Sequence, residues 1–295
     1  MQKLHSKKKL KFIINPKSGT KCKKKIEKLI IKYIDRSKYD FDICYTKAPK
    51  HATTLSDEAT KLKYDLVVAV GGDGTINEIS KALIGKETCL GIIPMGSGNG
   101  LASHLKIPKK AKKAIEIINN FKFKLIDTLQ INDHPFLAMV GIGFDAHVAH
   151  AFSKLKKRGF LSYASIVIKD AFFYKSKIFE LFLDGKKYIK KGFLFSFANI
   201  SQYGNNIIIS PHAKIDDGFF RVTLLKRPAF LRSFSTFLQL RNKTIYKSKY
   251  FESIKVKEAI IKQKNIVAHI DGEPVFFENG IKIKVFEKPL KIIVP

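Results

Sequence analysis

The sequence is poor in the features that staple small secreted domains and in those that cross bilayers. Three cysteines (Cys22, Cys44, Cys89) are too few and too widely spaced for a disulfide framework, and none forms a CxxC pair suited to zinc. Cys44 and Cys89 stand in apolar runs and read as small core residues, which suits a reducing compartment. No apolar run approaches the roughly 20 residues of a membrane-spanning helix. The basic start, MQKLHSKKKLKFIINP, offers only FII before Asn15-Pro16, too short for a signal-peptide core. Internal repeats and low-complexity linkers are also missing. A soluble, cytoplasmic protein is expected.

Acidic residues and arginine are scarce as well. Asp and Glu number 25 against 55 Lys and Arg, a formal charge of +30, which invites nucleic acid or an anionic membrane as a partner. Only six of the basic residues are Arg, the side chain suited to base reading and phosphate forks, so no specific nucleic-acid partner is expected. Lys, Ile, Phe and Asn are abundant throughout, as A- and T-rich coding would produce, and evenly spread Lys also reads as an ordinary solvated surface. The chain is nevertheless 45% hydrophobic and 12% aromatic, which excludes intrinsic disorder, and its length favours two domains.

The first 127 residues alternate strand and helix patterns. Asp65–Val70 (DLVVAV) and Leu90–Pro94 are almost wholly apolar, the mark of strands buried on both faces. Between and around them, 21–34, 51–63, 76–83 and 109–119 carry helical periodicity, the last with Ala111, Ala114, Ile115 and Ile118 inward. This order predicts an α/β domain with a parallel sheet over residues 1–127. From 128 to 295 the pattern becomes short strands, among them 136–140, 253–261 and 281–286, punctuated by Asp184-Gly185, Asp217-Gly218, Asp271-Gly272 and Asn279-Gly280. Two helices are expected near 146–154 and 160–174. A β-rich antiparallel sandwich follows, whose strand edges allow a homodimer.

Gly71-Gly72-Asp73-Gly74-Thr75 lies between a buried strand and a helix, where ligands of a parallel sheet bind. Glycines admit a phosphate close to the backbone, and the helix start offers amide N–H groups. Asp73 would serve Mg²⁺ or the nucleotide. Thr75-Ile-Asn-Glu78 also reads as a capping box, and the two roles are compatible. Gly96-Ser97-Gly98-Asn99-Gly100 repeats the arrangement 25 residues on, and Asn15-Pro16-Lys17-Ser18-Gly19 ends the first strand similarly. The spacing fits neither a dinucleotide fingerprint nor a Walker A loop. Ile270-Asp271-Gly272-Glu273-Pro274 reads on its own as a hairpin turn with an exposed Glu. His147 and His150 lack a third ligand and read as surface or packing residues.

Together INPKSG (14–19), VVAVGGDGTINEI (67–79), LGIIPMGSGNGLASHL (90–105), GIGFDA (141–146), AKIDDGFF (213–220) and IDGEP (270–274) resemble the diacylglycerol-kinase and sphingosine-kinase-like lipid kinases, bacterial branch. GGDGT alone is shared with NAD kinases. The resemblance implies an ATP- and Mg²⁺-dependent kinase acting on a lipid hydroxyl, with an α/β nucleotide domain followed by a β-rich lipid-substrate domain and the active site between them. It implies Asn15 and Thr46 at the nucleotide, and Gly71–Asn77 (Gly71, Gly72, Asp73, Gly74, Thr75, Asn77) with Gly96, Ser97 and Asn99 around its phosphates. Asp73 would join a Mg²⁺-phosphate network that Asp127 extends, and Glu273 would be the base. Lys214, Asp217 and Phe219 would form a structural Mg²⁺ loop, and Asp145 would approach the lipid head group. Many bacterial relatives carry Thr and Asp where this chain has Ser97 and Gly100. The partner implied is a lipid substrate at an anionic membrane surface, and the basic segment 153–159, flanked by Phe152 and Phe160, suits docking there. Two other readings rest on single features: a soluble NAD kinase on GGDGT, and a basic nucleic-acid binder on net charge alone.

Overall fold

The computed structural model describes residues 7–19, 23–155 and 160–295. The chain forms two compact units, one running to Ile126 and completed by Lys288–Pro295, the other spanning Asp127–Glu287.

The first unit alternates β1 (Lys8–Ile14), α1 (Lys23–Tyr33), β2 (Tyr39–Tyr45), α2 (His51–Lys61), β3 (Leu66–Gly71), α3 (Asp73–Leu83), β4 (Cys89–Pro94), the short α4 (Gly100–His104) and α5 (Ala111–Asn120). Its sheet is parallel in the order β2-β1-β3-β4. Every residue of β3 (LVVAVG) and β4 (CLGIIP) is buried, which requires cover on both faces. The helices supply it in two packed pairs, α1 with α5 and α2 with α3. α5 shows the mechanism: Ala111, Ala114, Ile115 and Ile118, spaced i, i+3, i+4, i+7, are its buried residues.

The second unit begins within β5 (Phe123–Ile131) and continues through β6 (His134–Phe136), β7 (Met139–Gly143), α6 (Phe144–Ser153), α7 (Phe160–Ala171), β8 (Lys177–Leu183), β9 (Lys186–Gly192) and β10 (Leu194–Ala198). The short pair β11 (Gln202–Gly204) and β12 (Ile207–Ile208) precedes β13 (Phe220–Leu225), α8 (Phe230–Arg241), β14 (Phe251–Val256), β15 (Glu258–Ile261), β16 (Ile266–Ile270), β17 (Glu273–Phe277) and β18 (Ile281–Ile293). One antiparallel sheet runs β14-β13-β10-β7-β16-β17, and β9, β8, β15 and the first half of β18 form antiparallel partners in order. Both sets of strands feed one core, with Phe195, Phe197 and Phe220 from the first and Leu181, Ile261 and Ile283 from the second. The sandwich expected from the alternating patterns is therefore present. No helix among the described residues is long and apolar enough to cross a membrane.

Four differences from the sequence reading have identifiable causes. The expected strand 136–140 is two strands, because the amides of Leu137, Ala138 and Met139 leave the ladder and donate to the Asp271 carboxylate at 3.2, 3.0 and 2.8 Å. The expected strand 253–261 breaks at Lys257, where Asp184 accepts the Lys257 and Glu258 amides at 3.0 and 2.8 Å. β14 and β15 consequently pair with different neighbours. Helix α8 has no counterpart in the sequence reading because Phe234, Phe237 and Leu238 face outward, as described below. Finally, β18 passes Phe286: Lys288 takes a left-handed backbone (φ 55°), and the strand resumes parallel to β4 with Ile292 opposite Leu90. Leu290, Ile292 and Ile293 are at most 1% exposed, so residues 288–295 complete the first unit, although the sequence reading carried the second domain to residue 295. The expected helix start at Lys21 lies outside the described residues, as does Cys22.

Removing side-chain volume from this returning segment should weaken the first unit. Ile292→Ala is expected to cost about 2–5 kcal/mol, as for other large-to-small changes in a sealed core. A urea unfolding midpoint left unchanged would show that the segment is dispensable.

Candidate active site

The ends of β1, β3 and β4 converge on one small region of the first unit, and glycine makes the convergence possible. A Cβ on Gly96 would stand 2.6 Å from the Gly72 Cα, and one on Gly72 would stand 3.1 Å from the Gly96 Cα, so the two glycine loops touch backbone to backbone. Gly19 (φ 63°) brings the loop after β1 alongside: its Cβ would meet the Met95 carbonyl oxygen at 2.1 Å.

Polar side chains then lock the loops. The Asp73 carboxylate, in the first turn of α3, accepts the Asn99 amide at 2.7 Å on one oxygen and the Gly100 amide at 2.8 Å on the other. Asn99 adopts the left-handed region (φ 55°, ψ 49°) and turns back on its own loop, accepting the Gly96 amide at 2.9 Å and donating to the Gly96 carbonyl at 2.6 Å. Burial pushes the Asp73 pKa up, opposed by the amides that donate to it. Asn15 closes the third side, donating to the Thr75 hydroxyl at 3.0 Å while its carbonyl oxygen accepts the Lys17 amide at 2.9 Å. Thr46 follows β2, and its amide hooks onto the Ile14 carbonyl at 3.0 Å. Gly74 and Ser97 are exposed beside this framework, whereas Asn77 is buried with its Oδ1 unpartnered.

The capping box read at 75–78 does not form. The N-cap of α3 is Gly72, which has no side chain to cap with, and Thr75 falls inside the helix, where its hydroxyl accepts from Asn15. Glu78 instead accepts the Ala52 amide at 3.2 Å, in the first turn of α2. The start of α3 therefore keeps amide groups unused by a cap and directed beyond the sheet, as an anion site requires.

The second unit gathers the remaining residues in two places. In the first, Asp127 is fully buried, and its carboxylate accepts the Gly218 amide at 2.7 Å. Neighbouring Asp217 pairs with Lys255 at 3.1 Å, and the Lys255 ammonium lies 3.9 Å from the centre of the Phe219 ring. Lys257 lies 5.2 Å from the same ring, and Lys214 is exposed. In the second place, Asp145 is 4% exposed, contacts His269 Nε2 at 2.8 Å and accepts the Tyr203 hydroxyl. Gly141 leaves room for that pair, since a Cβ there would lie 2.1 Å from the Asp145 carboxylate and 2.3 Å from His269 Nε2. Burial lowers the His269 pKa, but the Asp145 charge and hydrogen bond outweigh it, and the net shift is upward. His269 Nδ1 also accepts the Gly272 amide at 3.3 Å, which ties the pair to the turn before Glu273. Glu273 is exposed at the start of β17, opposite Ile270.

Sequence reasoning missed His269, Tyr203, Lys255 and the amide-gathering role of Asp271. The only local signals were Gly141, four residues before Asp145, and His269, two before Asp271. His147 contacts Asp170 at 2.7 Å and packs against Phe144 and Tyr174, and His150 contacts the Ala268 carbonyl at 3.3 Å, both packing residues as read. Of the basic segment 153–159, residues 156–159 lie outside the described residues.

Residues 9–131 match the diacylglycerol kinase catalytic domain, and residues 138–294 match the YegS C-terminal NAD kinase beta sandwich-like domain. A diacylglycerol kinase of Bacillus subtilis is 29% identical over 75% of this chain and 74% of its own length. A probable lipid kinase YegS-like of Chromohalobacter salexigens is 28% identical over 76% and 75%. A crystal structure of a putative diacylglycerol kinase from Bacillus anthracis shares the fold, with a TM-score of 0.76 over 98% of this chain and 97% of that one, at 23% identity. The chain belongs to the diacylglycerol kinase family of lipid kinases, joining its catalytic domain to a YegS-type sandwich. Kinases of this family use ATP.

The first-unit loops fit that nucleotide: two glycine loops held in backbone contact, a helix start without a side-chain cap, and the unpartnered Asn77 oxygen. The 214–219 loop does not fit a divalent ion as it stands, because an ammonium already neutralises Asp217. Among the described residues no group of three His, Cys, Asp or Glu is placed to hold a metal.

Two outcomes are expected. Gly96→Ala should force the loops apart and weaken ATP binding at least about tenfold, roughly 1.4 kcal/mol, in a titration followed by calorimetry; unchanged affinity would mean the contact does not shape the nucleotide site. The raised His269 pKa should stabilise the fold fully below the ordinary imidazole range near 6.5, with the contribution lost as pH rises through the higher folded value. Melting temperature should accordingly fall across that window, and His269→Gln should flatten the profile.

Proposed function

We propose that the enzyme transfers the γ-phosphoryl group of ATP to the free hydroxyl of a diacylglycerol-like lipid at an anionic membrane surface. The observation that carries the nucleotide side is the Asp73-tied pair of glycine loops at the start of α3. Support for the acceptor comes from the relatives, one named a diacylglycerol kinase and another a probable lipid kinase.

In this reading the hydroxyl oxygen attacks the γ-phosphorus, a new P–O bond forms, and the bond to the β-phosphate oxygen breaks as ADP leaves. The amides of the 72–75 and 96–100 segments orient the phosphates and stabilise their charge, the main requirement of a phosphoryl-transfer site. Asp73 acts as a positioning residue, since both of its oxygens hold backbone amides. Asn15, Thr46, Asn77 and Ser97 are proposed around the nucleotide. Glu273 is proposed as the base that takes the hydroxyl proton, and Asp145, with His269 and Tyr203, as the group that shapes the head-group region. Mg²⁺ is proposed to arrive on the nucleotide, because Mg²⁺ commonly keeps waters and substrate phosphates as ligands rather than an all-protein cage; when bound it would neutralise phosphate charge.

Glu273→Gln should lower kcat by at least about a hundredfold, the usual scale for general-base removal, while ATP still binds. Near-normal turnover would take Glu273 out of the base role. Labelled ATP offered with diacylglycerol, phosphatidylglycerol, a sphingoid base and an undecaprenyl-like alcohol in mixed micelles, and with NAD in parallel, tests the acceptor. Label confined to NAD would overturn the lipid assignment.

A further inference from the structure

Among the described side chains of helix α8, three large apolar ones face outward. Thr236 is its most buried described side chain, 5% exposed, with its hydroxyl donating to the Arg232 carbonyl at 2.9 Å. Phe234, by contrast, is 71% exposed, Phe237 40% and Leu238 39%. The i, i+3, i+4 spacing places these three on one stripe, which Arg241 continues at i+7. A helix of a globular domain normally turns such a stripe inward, and an exposed apolar patch of this kind marks an interaction surface.

Charge distribution adds an independent observation. From Gly218 to Phe251 the chain has no acid and eight basic residues. Four of its six arginines (Arg221, Arg227, Arg232, Arg241) fall in that segment. A composition bias that spreads Lys through the whole chain does not account for this clustering. Arg227 is engaged internally, donating to the Ala171, Phe172 and Tyr174 carbonyls just beyond α7 at 3.3, 2.7 and 3.3 Å. This holds Phe173, 81% exposed, beside the segment that leads into α8. Arg241 lies on the exposed stripe, whereas Arg232, two positions before Phe234 and four before the buried Thr236, stands on the other side of the helix.

We infer that α8, with the Phe173 turn beside it, is the surface through which the protein docks onto an anionic lipid bilayer. The phenyl rings enter the boundary between headgroups and acyl chains, and Arg241, on the same stripe, engages a lipid phosphate. Aromatic anchors with a cation on their stripe, and no acid in 34 residues, complement a uniformly negative plane. Arginine suits this contact better than lysine because its guanidinium is weakly hydrated and forks onto phosphate. The biological reason for the docking rests on the lipid-kinase reading, but the docking is measurable without it.

The test is cosedimentation with phosphatidylcholine vesicles, with and without phosphatidylglycerol, of the wild type, Phe234→Ser/Phe237→Ser and Arg241→Gln. The Phe pair is expected to lose at least about tenfold in partitioning onto the anionic vesicles and Arg241→Gln about fivefold, with far-UV circular dichroism unchanged and phosphorylation of detergent-dispersed diacylglycerol retained. Arg241→Gln leaves the aromatic residues intact, so the two variants check each other for folding. Unchanged partitioning of both overturns the inference. So does loss of binding only when Lys154, Lys156, Lys157 and Arg158 are replaced, which would move docking to that segment. Conversion of a dimer to a monomer by the Phe pair without loss of vesicle binding would make α8 a contact between copies instead. Failure of the wild type to phosphorylate any lipid in micelles would defeat the substrate reading and leave the vesicle result standing.

Discussion

Close approach of two backbones at Gly72 and Gly96 is the constraint around which the first unit is arranged. Parallel strands bring loops together at their carboxyl ends, but side chains ordinarily keep those loops apart. Here glycine removes the obstacle and one carboxylate fixes the result. Asp73 is partly desolvated, at a cost that its upward pKa shift reports, and two amide donors offset it. Charge-assisted bonds of this type are short and directional, so the loops are set before a ligand arrives. A site whose work is electrostatic gains most from that arrangement, because little reorganisation remains to be done during the reaction.

The same device recurs in the second unit with different backbones. Asp271 collects three successive amides, and Asp184 collects two, each at the point where a strand leaves its ladder. Each acid supplies acceptors to N–H groups that leave the ladder at a bend, partly buried ones at Asp271 and exposed ones at Asp184. Lysine fills a matching role: Lys255 neutralises Asp217 and covers Phe219, and Lys190 and Lys226 share Glu252. Part of the large positive charge is thus bracing, and Lys226 belongs to the same acid-free segment as α8.

What could be read from the sequence follows from the range of the physics involved. β3 and β4 were legible because burial on both faces leaves a continuous apolar run, and the glycine loops because strand–turn–helix junctions are local. The sandwich was legible through its alternation and its Asp-Gly and Asn-Gly turns. The breaks at Leu137 and Lys257 were hidden, since the carboxylates responsible lie 134 and 73 residues away. The His269–Asp145 pair was hidden for the same reason: its partners are 124 positions apart and meet only where Gly141 leaves a gap. The resemblance located Asp145 and Glu273 but said nothing of His269 or Tyr203. Helix α8 escaped because Phe234, Phe237 and Leu238 run against the usual inward rule for apolar residues.

The return of Leu290–Ile293 to lie beside β4 has a consequence for how the protein is made. During translation the amino-terminal half emerges first, yet the flank of β4 that Ile292 covers stays open until more than 150 further residues have been added. The nascent chain must therefore carry an unfinished apolar edge while the whole sandwich is synthesised, a period in which it is a natural client for a holdase. For the same reason the first unit is not a module that gene fusion can lift out by cutting once; transplanting it takes two cuts and a new linker.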